Sequence, residues 1–358
     1  MKDFLTLRIK AIIPETADAN TYVLENTEPE PIVYQAGQFL TFLVPHNGHE
    51  VRRSYSISSS PEADTELAVT IKRVVNGEIS RYLLDTWRVG DLVQSLYPAG
   101  RFTLPAGFAS PRDVILIGAG SGITPLFSLL KTLLLREPES CVTLIYANRD
   151  WQSAIFKAAL DAWAQRYPEQ FRCIHILSQE GRGLMTNENV VVSSGRLNNA
   201  WLERLVNENL HFRREDTLFY LCGPVPVMRM ADITLRFMGF RNLQIRQEHF
   251  IIRPLTTIEE NVVHTDVSPN RVKVQYRGRV YDLEVPVHKN ILQVALENGI
   301  QLPYSCRGGR CSTCIARCVS GTVRMSINEV LTDHDLAEGW VLTCTSHPET
   351  AEVTLRIE

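Results

Sequence analysis

No apolar stretch of this chain approaches the roughly 18 residues that a membrane-spanning helix needs, so no helical anchor is expected. No signal peptide is expected either, because Leu5-Thr6-Leu7-Arg8-Ile9-Lys10 alternates apolar and polar residues and reads as a strand. There is no excess of basic residues: the net charge of −3 gives no reason to expect a nucleic-acid partner. Internal repeats, low-complexity tracts and nucleophile motifs are missing too, so no side chain is assigned as a catalytic acid, base or nucleophile. The eight cysteines do not form an extracellular disulfide framework; Cys141, Cys173 and Cys222 lie in apolar runs and read as free buried thiols, which suits a cytoplasmic location. What is present is ordinary for a globular protein with no membrane association, 44% hydrophobic and 22% charged, and 358 residues suggest two or three domains.

Four of the cysteines carry the strongest signal. Cys306, Cys311 and Cys314 are spaced C-x4-C-x2-C, and Cys344 follows at a distance in Leu342-Thr343-Cys344-Thr345. That is the spacing of a plant-type [2Fe–2S] centre, in which three thiolates come from one loop and the fourth from a remote segment. Gly308 and Gly309 allow the backbone to approach the cluster and direct N–H groups at its sulfurs. A zinc site would more commonly show two separated C-x2-C pairs, and only one exists here, although His347 is near Cys344. Cys318, four residues past the loop, reads as a buried thiol.

Residues 1–107 are strand-rich, with Leu40–Val44, Ser54–Ser58 and Leu67–Ile71 separated by turns such as Pro45-His46-Asn47-Gly48, as in a small antiparallel barrel. Arg53-Ser54-Tyr55-Ser56 places a cation, an aromatic ring and hydroxyls on one strand, which are the groups a flavin nucleotide requires. A half-buried strand with one exposed arginine accounts for the same residues. Lys72 and the run Gly77-Glu78-Ile79-Ser80 follow, opening a short helix whose free N–H groups suit a pyrophosphate. Pro98-Ala99-Gly100-Arg101-Phe102 is expected to close the barrel.

Residues 108–250 alternate strands and helices. Asp113–Gly118 is a continuous apolar run of the parallel-sheet kind, followed by Gly118-Ala119-Gly120-Ser121-Gly122-Ile123-Thr124-Pro125 and a leucine-rich helix. This glycine turn is not the G-x-G-x-x-G dinucleotide fingerprint. Tyr146, Asn148 and Arg149 end one strand, Ser178-Gln179-Glu180 another, and Cys222-Gly223-Pro224 a third, all where open α/β sheets bind ligands. Ser178 with Arg149 or Arg182 would suit the 2′-phosphate of NADPH, and Glu180 the free ribose of NADH; the balance leans to NADPH. For Arg149 a solvated surface cation fits equally. The segment ends on Glu248 and Phe250.

Residues 251–270, with Pro254, Glu259-Glu260 and Ser268-Pro269-Asn270, read as a linker. In 271–358, two strands flank Arg277-Gly278, a helix runs from Ile291 to a stop at Gly299, and a strand closes the chain at Ala351–Ile357, as in a small ferredoxin-like (β-grasp) fold.

The strings R-S-Y-S at 53–56, GAGSGITP at 118–125 and C-G-P at 222–224 together resemble the ferredoxin–NADP reductase family. The resemblance implies FAD on Arg53, Ser54, Tyr55, Ser56 and Lys72, with Gly77, Ile79 and Ser80 at its phosphates. It implies NAD(P)H on Gly118, Gly120, Gly122, Thr124, Arg149, Ser178, Cys222, Gly223 and Pro224, with Glu248 and Phe250 near the flavin ring. The iron ligands would be Cys306, Cys311, Cys314 and Cys344. The order of barrel, nicotinamide domain and C-terminal ferredoxin resembles bacterial oxygenase reductases, the group of the phenylacetyl-CoA epoxidase and ketosteroid hydroxylase reductases. Ser312 departs from that group, where Gly or Ala is frequent. The implied function is electron transfer from NAD(P)H through FAD and the [2Fe–2S] cluster to a partner oxygenase with a di-iron or Rieske centre. Arg307 and Arg310 are candidates for docking its acidic surface, with solvated arginines an equal alternative. Another acceptor, such as a hybrid-cluster protein, a cytochrome or a separate ferredoxin, and a non-enzymatic redox-sensing role remain alternatives.

Overall fold

The computed structural model describes residues 4–105, 110–179, 190–250, 269–328, 330–331 and 333–357. The chain forms two compact units, Met1–Glu248 and His249–Glu358. Of the expected linker at 251–270, residues 251–268 lie outside the described residues, as do the candidates Glu180 and Arg182, and Asn270 already belongs to a strand of the second unit.

The first unit begins with the expected antiparallel barrel. Its strands are β1 (Leu5–Thr16), β2 (Ala19–Asn26), β3 (Phe39–His46), β4 (His49–Ser56), β5 (Leu67–Lys72) and β6 (Leu92–Ser95), with helix α1 (Glu78–Thr86) between the last two. The sheet order is β4-β3-β6-β1-β2-β5. Asn47 and Gly48 both take positive φ, as a two-residue turn matching the strand twist requires, and so fix the β3–β4 register at His46 opposite His49. The edges meet through Ile57, just past β4, which bridges to Val69 of β5. The seam is therefore not at 98–102 as expected. Ala99 instead bridges to Phe39, and Phe102 joins the core of the neighbouring layer, with its ring 5.3 Å from that of Tyr220.

That neighbouring layer is a parallel sheet of β7 (Asp113–Ala119), β8 (Cys141–Asn148), β9 (Phe171–Leu177), β10 (Val190–Ser194), β11 (Thr217–Cys222) and β12 (Ile245–Glu248). The helices are α2 (Ile123–Arg136), α3 (Lys157–Arg166), α4 (Asn199–Glu208) and α5 (Val225–Phe237). The order β10-β9-β8-β7-β11-β12 puts a topological switch between β7 and β11, where the chain reverses its direction of growth. Both faces of β7 are covered: Val114 and Leu116 pack with α2, and Ile115 and Ile117 with α4 and α5. This explains why β7 reads as an unbroken apolar run.

Helix α2 is buried from Ile123 to Leu134, yet it carries a polar stripe at Ser128, Lys131, Thr132 and Arg136. The spacing places these side chains on one face, and that face meets the barrel. Ser128 donates to the carbonyl of Ser59, Lys131 pairs with Asp64, Thr132 lies 2.8 Å from the Ser60 hydroxyl, and Arg136 pairs with Glu62 at 3.0 Å. The Tyr220 hydroxyl adds a bond to the Thr103 carbonyl at 3.0 Å. Burial pushes the Lys131 amine downward, and the Asp64 charge opposes that shift.

The second unit is built from β13 (Asn270–Tyr276), β14 (Arg279–Val285), α6 (Ile291–Glu297), β15 (Ile315–Ser320), β16 (Val323–Met325), α7 (Asp333–Ala337), β17 (Trp340–Leu342), β18 (Ser346–Pro348) and β19 (Glu352–Ile357). Its main sheet runs β14-β13-β19-β15-β17, with β16 and β18 as a separate pair. Arg277 and Gly278, both at positive φ, make the expected tight turn. The core gathers Val272, Val274, Ile291, Leu292, Leu342 and Leu355, and it includes Cys314 and Cys344. Cys318 is only half-buried, on β15, where its neighbours alternate toward solvent. Cys141 is half-buried too, while Cys173 and Cys222 are buried as expected. No helix among the described residues is long and apolar enough to cross a membrane.

Replacing Asp64 with Asn leaves the Lys131 ammonium buried without its counter-charge. We expect a loss of roughly 1–3 kcal/mol, below the full cost of breaking a buried pair because Asp64 is about a third exposed. Denaturant unfolding of Asp64→Asn beside a Lys131→Met, Asp64→Leu double variant checks this; the double variant should recover most of the loss.

Candidate functional site

Three chain segments converge at the carboxyl ends of β7, β11 and β12. The turn after β7 makes a single 3-10 turn at Gly120–Gly122 and runs straight into α2. Gly122 lies against the end of β11: a Cβ there would sit 2.0 Å from the Cys222 carbonyl oxygen and 2.7 Å from the Gly223 nitrogen. Its φ of −61° is open to any residue, so the requirement for glycine is one of space. Gly118 is less constrained, since the atom 2.8 Å from where its Cβ would be is the tip of the Leu126 side chain, whereas Gly120 takes a positive φ of 55° and has open space around it. Gly223 closes against Ala119 from the other side. Thr124 is buried and its hydroxyl donates to the Ser121 carbonyl at 3.0 Å, and Tyr146 donates to the Gly120 carbonyl at 3.1 Å, bracing the turn. The N-terminus of α2 has no side-chain cap, but the Ile123 N–H is donated back to the Gly120 carbonyl and Pro125 has none, so the helix start itself offers few free donors to an anion.

The barrel contributes β4 to the same region. Ser56 Oγ donates to Glu248 Oε2 at 3.0 Å, joining the end of β4 to the end of β12. Glu248 as a residue is only half-buried, but its carboxyl group is withdrawn from water, and this raises it to about 8 despite the Ser56 hydrogen bond. Burial pushes the Cys222 thiol well above its ordinary range, and the Glu248 charge adds to that. Tyr55 packs beside Phe42 with ring centroids 6.2 Å apart, and burial raises its phenol. Ser54 Oγ lies 2.9 Å from Thr41 Oγ1 across the β3–β4 pair. Arg53 is half-exposed and donates to the Arg52 carbonyl at 2.8 Å.

Gly77 is the N-cap of helix α1, again with no side-chain cap, and its own N–H donates to the Val74 carbonyl at 2.9 Å. A Cβ on Gly77 would lie 2.7 Å from Val74 Cβ and 2.9 Å from Ser80 Oγ. Ser80 accepts from the Val74 N–H at 3.1 Å, and Ile79 is buried in the barrel core, so that residue offers only its backbone to a ligand. Lys72 is 3.7 Å from Asp18. At the ends of β8 and β9, Ser178 N–H donates to Asn148 at 3.0 Å and Gln179 N–H to Arg149 at 2.8 Å, which brings Arg149 and Ser178 together. Phe250 is exposed and belongs to the second unit.

In the second unit the four cysteines form two thiol pairs. Cys306 adjoins Cys311, and Cys314 adjoins Cys344, the latter two almost fully buried. Two iron atoms with two thiolates each require such a division. The Cys306 N–H donates to Cys311 Sγ and the Gly308 N–H to Cys306 Sγ, both at 3.4 Å, while Thr313 Oγ1 is 3.3 Å from Cys311 Sγ. The Cys311 thiol and the surrounding N–H groups hold Cys306 at about 6, while their partner thiols and burial push Cys311 and Cys314 well above the usual range. Buried thiols of this kind call for cationic charge, and the set fits a two-iron cluster. The loop takes positive φ at Arg307, Gly309 and Ser312. Gly309 has no room for a side chain, since its Cβ would lie 2.5 Å from the Ile327 carbonyl. Ser312 holds φ 51°, a left-handed conformation that glycine adopts most readily. Arg307 is stacked over Tyr304, 4.2 Å from the ring centroid.

Sequence reasoning named Ser56 and Glu248 separately but missed their pairing, because the two are far apart in the chain. It also missed Thr41 and Thr313, which become visible only through cross-strand register and loop geometry.

A barrel, a switch-point glycine turn and a three-thiol loop joined by a remote fourth cysteine define a flavin- and nicotinamide-dependent oxidoreductase with an iron–sulfur domain. The family description "Oxidoreductase FAD-binding domain" matches residues 6–104, "Oxidoreductase NAD-binding domain" residues 116–232, and "2Fe-2S iron-sulfur cluster binding domain" residues 274–349. The chain is 34% identical to a component of the 1,2-phenylacetyl-CoA epoxidase of Escherichia coli (strain K12), over 99% of this chain and 98% of that protein. It is also 34% identical to the 3-ketosteroid-9-alpha-monooxygenase ferredoxin reductase component of Mycolicibacterium smegmatis, covering 98% of this chain and 96% of that one. Among solved structures, phthalate dioxygenase reductase superposes with a TM-score of 0.59 at 22% identity, over 99% of this chain and 98% of that chain. A type IV self-sufficient cytochrome P450 monooxygenase gives a TM-score of 0.72 at 20% identity, and there this chain spans only 41% of the other's length. The chain belongs to the family of reductase components of multicomponent oxygenases. Its cofactors are FAD and a [2Fe–2S] cluster, and its electron donor is NAD(P)H.

Two expectations follow. Because Glu248 is raised from 4.5 to about 8 in the folded chain, the unfolded chain ionises first as pH rises. Its burial therefore costs nothing below about pH 4.5 and lowers stability progressively up to about pH 8, where the effect levels off. Glu248→Gln should match the parent near pH 5 and exceed it near pH 9 in denaturant unfolding; parallel curves would contradict the assignment. Separately, Gly122→Ala forces a shift at Cys222, and should raise KM for NAD(P)H about tenfold or more with flavin content unchanged, as steady-state kinetics on the holoprotein will show.

Proposed function

We propose that this reductase uses NADPH in preference to NADH and serves a cytoplasmic oxygenase of the phenylacetyl-CoA epoxidase kind, with a di-iron or Rieske centre. The observation that supports an oxygenase acceptor is the 34% identity, end to end, with the epoxidase component, equalled by that with a ketosteroid monooxygenase reductase component, so the choice between them rests on the reconstitution test below. When bound, FAD converts a two-electron donor into single-electron steps, and the cluster carries single electrons outward.

The chain's own residues position and insulate. Arg53, Lys72 and the uncapped start of α1 at Gly77, Ile79 and Ser80 hold the flavin pyrophosphate. Tyr55 covers a ring face, Ser54 is held by Thr41, and Ser56 presents its hydroxyl to the ring edge. Glu248, raised to about 8, keeps its proton at neutral pH and so sets an uncharged polar neighbour beside Ser56. Gly118, Gly120 and Gly122 let the nicotinamide nucleotide approach the backbone, and Thr124 with Cys222, Gly223 and Pro224 lines its reactive end. Arg149 and Ser178, at adjacent strand ends, favour a 2′-phosphate. Cys306, Cys311, Cys314 and Cys344 hold the two irons. Eight cysteines, none in a disulfide, suit a reducing compartment.

The acceptor is tested by reconstituting turnover with purified oxygenase components of both centre types, using a cytochrome and a separate ferredoxin as controls. Coupled product formation with the epoxidase oxygenase is expected; turnover confined to the controls would reject the assignment. For the donor, Arg149→Ala should raise KM for NADPH at least tenfold and alter KM for NADH less than threefold. Cys344→Ser should abolish the cluster's visible absorption and the reduction of one-electron acceptors while retaining flavin.

A further inference from the structure

The opposite edge of the parallel sheet, away from the glycine turn, carries a second cluster of ligating side chains that electron transfer does not use. Asp113 and Cys141 open β7 and β8 and stand directly opposite each other in the strand register. His211 lies between α4 and β11 and completes the group. One ligand atom from each of Asp113, Cys141 and His211 falls within 4.8 Å of both others.

Asp113 is almost fully buried, and its two oxygens have different tasks. Oδ2 accepts the backbone N–H groups of His211 at 2.9 Å and Phe212 at 2.8 Å, which fixes the carboxylate and the turn that carries the imidazole. Oδ1 faces His211 Nδ1 at 3.1 Å. Tetrahedral zinc with oxygen and nitrogen ligands at about 2.0–2.1 Å separates those two atoms by roughly 3.3 Å, so the observed spacing needs almost no adjustment. Cys141, half-buried beside them, supplies the sulfur, and the His211 side chain, 52% exposed, leaves one side open to water. The hydrogen bonds to Oδ2 are of the kind that orient a metal-ligating carboxylate.

We propose that Asp113 Oδ1, Cys141 Sγ and His211 Nδ1 form a binding site for a zinc-class divalent cation, with water in the fourth position. One thiolate, one imidazole and one carboxylate favour this class over magnesium or calcium, which take oxygen ligands. Binding breaks the His211 Nδ1–H···Oδ1 hydrogen bond, moving that proton to Nε2 or to solvent, releases the Cys141 thiol proton to solvent, and forms the S–Zn, N–Zn and O–Zn bonds. The cation ties the starts of β7 and β8 to the segment before β11, and so acts on the stability of the first unit.

The test uses the flavin- and iron-loaded protein. Equilibrium dialysis against micromolar Zn²⁺, with zinc, iron and flavin measured together, should find one zinc per chain with iron unchanged. Affinity should fall at least tenfold in both Cys141→Ser and His211→Ala, and added zinc should raise the melting temperature of the parent but of neither variant. His211→Ala removes a half-exposed side chain and should retain flavin, which keeps the test valid if Cys141→Ser folds poorly. Absence of binding, equal binding in His211→Ala, or uptake that displaces iron from the ferredoxin thiols would overturn the proposal.

Discussion

The first unit depends on one close approach: the backbone of Gly122 against the carbonyl of Cys222. Nothing larger than a hydrogen fits between them. The contact draws the turn after β7 onto the end of β11, at the point where the sheet changes its direction of growth. Because β12 pairs with β11, the same contact fixes where Glu248 emerges, and Ser56 of the barrel meets it there. A steric condition at one glycine thus sets the relation between the nucleotide turn and the flavin strand.

Helix α2 extends that relation. Its apolar faces fill the core under the sheet, while one row of polar side chains reads across to the barrel. Fully burying leucines such as Leu126, Leu129, Leu130 and Leu133 contributes about 1.5–3 kcal/mol each. The polar row adds little net energy, but it is selective, because a shifted helix would leave Lys131 and Ser128 buried without partners. Packing supplies the stability, and the buried ion pair supplies the registration.

Much of this was legible in the chain. The cysteine spacing, the switch from alternating to continuous apolar strands, and the positive-φ pairs Asn47-Gly48 and Arg277-Gly278 each have a local physical cause. They named the cluster loop, the two halves of the first unit and two hairpins. Illegible were features made by distant segments: the Ile57–Val69 seam, the Ser56–Glu248 bond and the stripe on α2, which in sequence looks like stray polar residues in a buried helix. Cys318 was misjudged because its alternation on β15 depends on which face that strand turns to solvent. Ser312 stood out as an oddity, and its backbone proves left-handed, a conformation that favours glycine and does not account for serine.

Cys314 and Cys344 are counted among the core of the second unit, wedged with Leu342 and Ala316. Half of the ligand set is thus part of the hydrophobic interior, so a substitution at either position changes packing as well as removing a thiolate.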